Sequence, residues 1–178
     1  MSLLYRSLRV GKKGKKFWMY KLKTLRDDFD KTKSFADESA YTKYGHFLRK
    51  YKLDELPQFF NVLKGQMSLV GPRPEEERTL NLLPEDIRKT LLSVRPGMTS
   101  LASLHFYDEE MFLKQGEDIY KNYWMGVKPL KIMLDVFYIE NKSWLLDLAV
   151  LWATFKRIAK LFLSRFNLGK FIRSLFQK

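Results

Sequence analysis

The stretch from Leu48 to Glu77, LRKYKLDELPQFFNVLKGQMSLVGPRPEEE, decides how this chain is organised. It places two adjacent carboxylates, Asp54 and Glu55, among basic side chains and directly ahead of an apolar run. The run predicts a helix that begins near Asp54, tolerates Pro57 in its first turn and ends at Gly65. One face of this helix carries the apolar side chains Leu56, Phe59, Phe60 and Leu63.

Strands and further helices are predicted on both sides of this segment. Residues 67–70 predict a short strand, which the turn VGPRP with Arg73 interrupts. Upstream, RVGKKGKKFWMYKLKTLR, residues 9–26, predicts a hairpin and a half-buried strand with alternating side chains. Helical spacing recurs at residues 44–52, 84–93, 108–122 and 130–140. We therefore expect an α/β (α+β) fold, with a small sheet and several surrounding helices.

The composition is that of a folded, basic protein without cysteine. Among 178 residues, 46% are apolar, and 33 Lys and Arg against 20 Asp and Glu give a net charge of +13. This charge favours polyanionic partners, namely nucleic acid, phosphorylated substrates or an anionic membrane surface. The lack of cysteine excludes disulfides and thiolate chemistry, and His46 and His105 are too few for a histidine-rich metal site.

The C-terminal part of the chain differs from the rest, because it carries basic but no acidic residues after Asp147. Its apolar side chains recur at helical spacing with cations between them, so it is either a helix packed on the domain or an interfacial membrane helix. Its aromatic content favours the membrane. We predict one domain over residues 1–143 and basic amphipathic membrane-associating helices over residues 144–178. No secretory signal and no membrane-spanning stretch is expected.

Two interpretations of Asp54 and Glu55 follow from their position. Acids near a helix start commonly cap free N–H groups and complement the helix dipole. Here, however, cations precede the pair, and Arg73 follows on a turn made rigid by prolines and a glycine. Such a site suits phosphoryl transfer, in which one carboxylate attacks and the other holds a divalent cation. Mg²⁺ needs only one or two carboxylates when substrate phosphates supply the other ligands.

The neighbouring motifs also have simpler interpretations. VGPRP can be a structural turn with an exposed arginine, and RVGKKGKK can be a solvated hairpin or a nucleic-acid contact. Composition and spacing alone indicate phosphate chemistry at a membrane surface.

Several ordered motifs make the resemblance to a known family more specific. LRKYKLDELPQFFNVLKGQMSLVGPRPE resembles the signature of the bacterial sugar transferases, the monotopic polyprenyl-phosphate phosphoglycosyl transferases. RVGKKGKKFWMYKLKTL is similar to the opening of that family, LSVRPGMTSLA to its RPG segment, and FYIENKSWLLDLAVLWATF to its ending. The resemblance extends over residues 9–160.

The resemblance implies transfer of a sugar phosphate from a nucleotide diphosphate sugar, usually a UDP-sugar, to undecaprenyl phosphate, with release of UMP. Asp54 would be the nucleophile that forms a covalent phosphosugar intermediate. Glu55, with Asp54, would bind Mg²⁺. The predicted phosphate-binding side chains are Arg49, Arg73, Lys21 and Lys23. Cations and a nearby helix start are expected to lower the pKa of Asp54. The expected location is the cytoplasmic face of the bacterial inner membrane, at the start of surface glycan assembly.

Three features depart from the family pattern. YKLK places Lys23 where arginine is usual, which replaces a bidentate group by a point charge. MTSLAS replaces the commoner ITGWAQ after RPG. Family members also carry a hydrophobic re-entrant membrane helix ahead of the RVG motif, whereas eight residues precede Arg9. The chain is therefore expected to be a truncated catalytic domain, or a short form that docks through its C-terminal helices or a partner.

Other functions rank below the enzyme. A membrane-bound interaction module with the same fold and little turnover is the alternative, and the intact Asp54, Glu55 and Arg73 argue against it. A nucleic-acid binder comes third, because only charge and aromatic content favour it, and we expect no nucleic-acid partner. An oligomer is compatible with the sequence.

Overall fold

A computed structural model describes residues 3–26, 41–106 and 123–165. The predicted hairpin is confirmed. Strand β1 (Leu4–Val10) pairs antiparallel with β2 (Lys16–Leu22) across a short 3-10 turn, Lys12–Gly14. Its two turn residues Lys13 and Gly14 have positive φ angles of 58° and 77°, which suits a tight reversal. Phe17 and Met19 of β2 are buried, so one face of the hairpin covers the core.

The central segment folds as three short helical pieces. Helix α1 (Gly45–Lys50) is followed by a 3-10 turn, Leu53–Glu55, and then by α2 (Gln58–Leu63). The helix predicted to begin near Asp54 therefore begins four residues later. Lys52, in the left-handed region at φ 56°, separates α1 from the 3-10 turn and breaks the helical path.

The rest of the domain packs around a second pair of strands. Strand β3 (Ser68–Val70) runs parallel to β4 (Gly97–Thr99), and α3 (Glu77–Leu80) and α4 (Glu85–Ser93) connect them. The chain continues as α5 (Leu101–His105), α6 (Lys128–Glu140) and α7 (Trp144–Arg165). The class is thus α+β, with the described strands divided between two two-stranded sheets. The helices predicted at 84–93 and 130–140 are confirmed, whereas 108–122 lies outside the described residues.

The last helix, α7, packs against the domain along one side. Val150 lies in a core cluster with Val70 and Tyr138, and the Tyr138 hydroxyl donates to Asp147 Oδ1 at 2.5 Å. The opposite side of α7 is exposed and apolar, with Trp144, Leu145, Leu148, Trp152, Phe155 and Leu163. Among the described residues, no helix has the length and hydropathy that a membrane span requires. The boundary at residue 143 stays a prediction.

Candidate active site

The carboxylate pair lies on the 3-10 turn between α1 and α2. Neither side chain caps α2, because the cap position is Pro57 and no side chain accepts a hydrogen bond there. The interpretation of Asp54 and Glu55 as side-chain caps of this helix is therefore wrong. The two carboxyl groups instead have different surroundings, which give them different chemistry.

Glu55 is the centre of a compact ion cluster. Its Oε1 accepts a hydrogen bond from Lys21 Nζ at 3.0 Å, and its Oε2 accepts one from Arg73 Nη1 at 2.8 Å. Arg73 Nη2 also donates to Oε1, so the arginine grips the carboxylate with both nitrogens. Burial alone would raise the pKa of Glu55, but the charges of Arg73 and Lys21 outweigh it and hold this pKa well below its usual range. Glu55 therefore remains ionised.

Arg73 reaches Glu55 from residues 71–75, which we call the Arg73 loop. Its guanidinium also donates to the carbonyl of Met98, the central residue of β4, at 3.1 Å. The loop lies directly against β4, since a Cβ atom on Gly97 would come within 2.1 Å of Gly71 N. Only glycine permits this close approach of two backbones. The arginine therefore projects from a closely packed backbone.

Asp54 is 7% exposed, and its Oδ1 is buried without a hydrogen-bond partner among the described residues. Burial and the negative charge of Glu55 raise its pKa, against the opposing charges of Lys21, Lys52 and Arg49. The expectation of a lowered pKa is therefore wrong for the protein without ligands. The sequence shows the nearby cations but not the burial that outweighs them.

The other predicted phosphate-binding residues lie at different distances from this centre. Arg49 acts on Asp54 through its charge, and its guanidinium lies 5.7 Å from the Tyr41 ring centroid. Lys23 follows the end of β2, and its backbone N–H donates to Leu3. The structure thus brings the side chains of Lys21 and Arg73 into contact with Glu55 and places Arg49 where its charge acts on Asp54.

Two buried amides on α2 were not identified from the sequence. Gln58 and Asn61 are both 0% exposed, although they lie on the helix that carries exposed Phe60 and Leu63. Asn61 donates to the Trp18 carbonyl at 2.7 Å and accepts from the Tyr20 N–H at 3.2 Å. It thereby ties α2 to the strand that presents Lys21. Both amide atoms of Gln58 lack a partner among the described residues.

The helix α2 is therefore amphipathic in the inverse sense. Its polar side is buried, while its apolar side chains Phe59, Phe60 and Leu63, and Leu56 just ahead of it, are 48–82% exposed. The spacing of Asp54, Gln58 and Asn61 by four and three residues was the available signal, because it places three polar groups on one helical side.

A second group of charged residues lies behind the Arg73 loop and was also missed. Asp135 and Lys128 of α6 are both buried. Asp135 Oδ2 accepts a long hydrogen bond of 3.4 Å from the Arg73 N–H, and Lys128 Nζ pairs with Glu75 Oε1 at 2.5 Å. In the sequence, Asp135 stands alone among apolar neighbours, whereas Glu75 is the first of three consecutive glutamates after the proline-rich turn.

The carboxylates of the site could hold a metal ion only together with a bound substrate that supplies further oxygens. In the described residues, no group of three or more His, Asp or Glu side chains could hold a metal ion. Among the described residues, Asp54 Oδ1 has no hydrogen-bond partner and Glu55 Oε2 accepts from Arg73 Nη1, so each oxygen retains capacity for a cation. Two carboxylates fit Mg²⁺ when phosphate oxygens complete its coordination.

Comparison with known proteins assigns the chain to a family. The family model for bacterial sugar transferases matches residues 1–161, and the chain belongs to that family. It is 36% identical over 157 residues to the uncharacterised sugar transferase EpsL of Bacillus subtilis, covering 88% of this chain and 69% of EpsL.

Two further relatives have names that specify their substrates. A UDP-glucose:undecaprenyl-phosphate glucose-1-phosphate transferase of Klebsiella pneumoniae is 35% identical, covering 85% of this chain and 31% of that protein. A UDP-N-acetylgalactosamine-undecaprenyl-phosphate N-acetylgalactosaminephosphotransferase of Aeromonas hydrophila is 34% identical, covering 84% and 34%. The chain therefore spans about a third of the length of these two relatives.

Proposed function

We propose that this chain transfers a sugar phosphate from a nucleotide diphosphate sugar, in particular a UDP-sugar, to undecaprenyl phosphate. The observation that carries the proposal is the buried Asp54, one oxygen of which has no hydrogen-bond partner within the described ranges, beside a Glu55 held by Lys21 and Arg73. The names of the relatives support the reaction class, and their different sugars leave the sugar open. The reaction would begin the assembly of a surface glycan.

In the first step, an Asp54 carboxylate oxygen attacks the sugar-proximal phosphorus. The new bond joins Asp54 to that phosphorus, and the bond to the oxygen of the departing nucleoside monophosphate breaks, so UMP leaves with the bonding electrons. In the second step, a phosphate oxygen of undecaprenyl phosphate attacks the same phosphorus and releases the Asp54 carboxylate. The sugar phosphate then resides on the carrier.

The cluster around Glu55 prepares this chemistry. Two carboxylates, one guanidinium and one ammonium cancel in charge, so the site gains no net attraction for a free dication. We expect Mg²⁺ to enter with the diphosphate, held by Asp54 and Glu55, where it would neutralise phosphate charge and favour ionised Asp54. Arg73 and Lys21 would face the same phosphates.

The test uses the full chain in detergent with a mixture of UDP-sugars, Mg²⁺ and undecaprenyl phosphate. We expect UMP release, and a phosphosugar adduct on the protein by intact-mass spectrometry when the acceptor is omitted. Asp54→Asn should abolish both, because a carboxamide has nearly the same shape but is not a nucleophile. Asp86→Asn, the same change at an exposed position on α4, should retain both. Turnover or an adduct in Asp54→Asn would remove Asp54 from this role.

We further propose that the chain works at the cytoplasmic face of the inner membrane. The exposed apolar sides of α2 and α7 support this location, because a sugar carrier with a polyprenyl chain is itself embedded in lipid. Removal of residues 164–178 should weaken flotation with anionic vesicles and leave flotation with neutral vesicles little changed. If the full chain and the shortened chain float equally well with anionic vesicles, residues 164–178 have another role.

A further inference from the structure

The cavity behind the Arg73 loop contains a buried acid that the proposed chemistry does not use. Asp135 lines a cavity of about 20 Å³ together with Arg73 and Glu75. Its Oδ2 accepts a hydrogen bond from the Arg73 N–H, whereas its Oδ1 is buried without a hydrogen-bond partner among the described residues. The carboxyl group therefore holds the backbone of the residue whose side chain holds Glu55.

The surroundings of Asp135 disfavour a negative charge. The Arg73 loop presents the acid Glu75, whose carboxylate is already paired with Lys128 of α6. The start of α5 presents the Ser100 hydroxyl. The cavity residues contributed by α3 and α4 are apolar, namely Leu80, Leu91 and Leu92. An ionised Asp135 would thus have the long hydrogen bond from the Arg73 N–H and the nearby Ser100 hydroxyl, which donates to Ser103. Burial and the neighbouring acid Glu75 oppose that charge, and Lys128 is already engaged with Glu75.

We propose that Asp135 is a positioning residue that anchors the Arg73 loop as a neutral carboxylic acid. One carboxyl oxygen accepts the Arg73 N–H, and the backbone so fixed aims the guanidinium at Glu55. The anchoring itself is a property of the fold, whereas its effect on catalysis rests on the proposed function. Asparagine can replace a neutral acid in this position, because its carbonyl oxygen accepts the same hydrogen bond.

The first measurement is amide hydrogen exchange at Arg73, followed by NMR in the full chain. We expect Asp135→Ala to speed exchange about tenfold, since the Arg73 N–H loses its acceptor. Asp135→Asn should stay within about twofold of the unchanged protein. If exchange at Arg73 is equal in the alanine variant and the unchanged protein, the proposed anchor does not exist.

The second measurement follows unfolding from about pH 5 to about pH 9. Burial raises the pKa of Asp135 to about 7, above its value in the unfolded chain. At a pH between these two pKa values, Asp135 is protonated in the folded state but ionised in the unfolded chain. The free energy of unfolding therefore falls as the pH rises through this range. Asp135→Asn should remove this fall and be the more stable protein above pH 7, whereas Asp86→Asn should follow the unchanged protein. If the free energy of unfolding changes with pH in the same way for Asp135→Asn and the unchanged protein, Asp135 is not a neutral acid in the folded state.

The third measurement compares UMP release. An anchor predicts that Asp135→Asn retains kcat, while Asp135→Ala lowers kcat more than it raises KM, because Arg73 is still present but badly placed. Loss of turnover in Asp135→Asn would show that the charge is required and refute a neutral anchor. If the unchanged protein releases no UMP, the proposed function fails, and the exchange and unfolding measurements still decide the anchoring.

Discussion

Replacement of Arg73 by lysine tests the central ion cluster without removing its charge. In the structure, Arg73 contacts both oxygens of Glu55 and also donates to the Met98 carbonyl. A lysine ammonium can reach one of these acceptors, but it cannot reproduce the planar fork. Lys21 still contacts Glu55 in this variant, so the carboxylate does not become unpaired.

The magnitude follows from the contacts that are lost. One hydrogen bond between charged groups contributes about 1.5–3 kcal/mol, and one to a neutral carbonyl about 1 kcal/mol. Since a lysine at position 73 recovers part of this energy, we expect Arg73→Lys to lower the free energy of unfolding by about 2–3 kcal/mol. For a domain of this size, that corresponds to a decrease in Tm of about 5–10 °C.

Urea unfolding monitored by circular dichroism provides the assay. The midpoint should fall while the m-value stays constant, because the change affects stability and not the surface exposed on unfolding. Arg88→Lys is the matched control, since Arg88 pairs with Glu85 on the surface of α4 and its loss should change little. The reasoning is refuted if Arg73→Lys is no less stable than Arg88→Lys.

Two further predictions concern the same region. Glu55→Gln should destabilise the protein most at neutral pH and progressively less in acid. The lowered pKa of Glu55 stabilises the folded state, and this stabilisation is lost as the pH falls from the unfolded-state pKa towards the folded-state pKa. A difference in urea midpoint that stays constant across pH would contradict this. Gly97→Ala should lower the free energy of unfolding by about 3 kcal/mol or more, because its Cβ would collide with the Gly71 backbone. The control Gly126→Ala, whose Cβ would lie in open space, should be tolerated. Equal thermal midpoints for the two variants would disprove the close approach.

Local periodicity was sufficient to predict most of the regular structure. The hairpin and the helices near residues 84–93 and 130–140 follow from patterns that extend over seven or more residues. The start of α2 could not be predicted as well, because the left-handed Lys52 and the 3-10 turn that follows leave no periodic signal. Pairing of β3 with β4 depends on two distant glycines that let their backbones meet.

The sequence singled out Asp54, Glu55 and Arg73, which lie together in the structure, but it did not predict the electrostatics of this cluster. Adjacency in the motif revealed Asp54 and Glu55, and the rigid turn indicated that Arg73 would have a fixed direction. Burial depends on what packs over a residue, so the raised pKa of Asp54 had no counterpart in the sequence. Asp135 was missed for the same reason, although a lone acid within the apolar run of α6 was a usable sign.

The inverse amphipathicity of α2 connects the site to the surface. An apolar face normally indicates the side of a helix that packs on the core, yet here Gln58 and Asn61 point inward and Phe60 and Leu63 outward. The polar side faces inward because Asn61 bonds to the backbone of β2, the strand that carries Lys21. The apolar side of the same helix is thereby turned outward. On the proposed function, the same helix would then present its apolar side to the lipid that contains the acceptor, directly after the turn that carries the nucleophile. The polar and apolar halves of α2 would thus serve the two substrates separately, the nucleotide sugar from within and the carrier from outside.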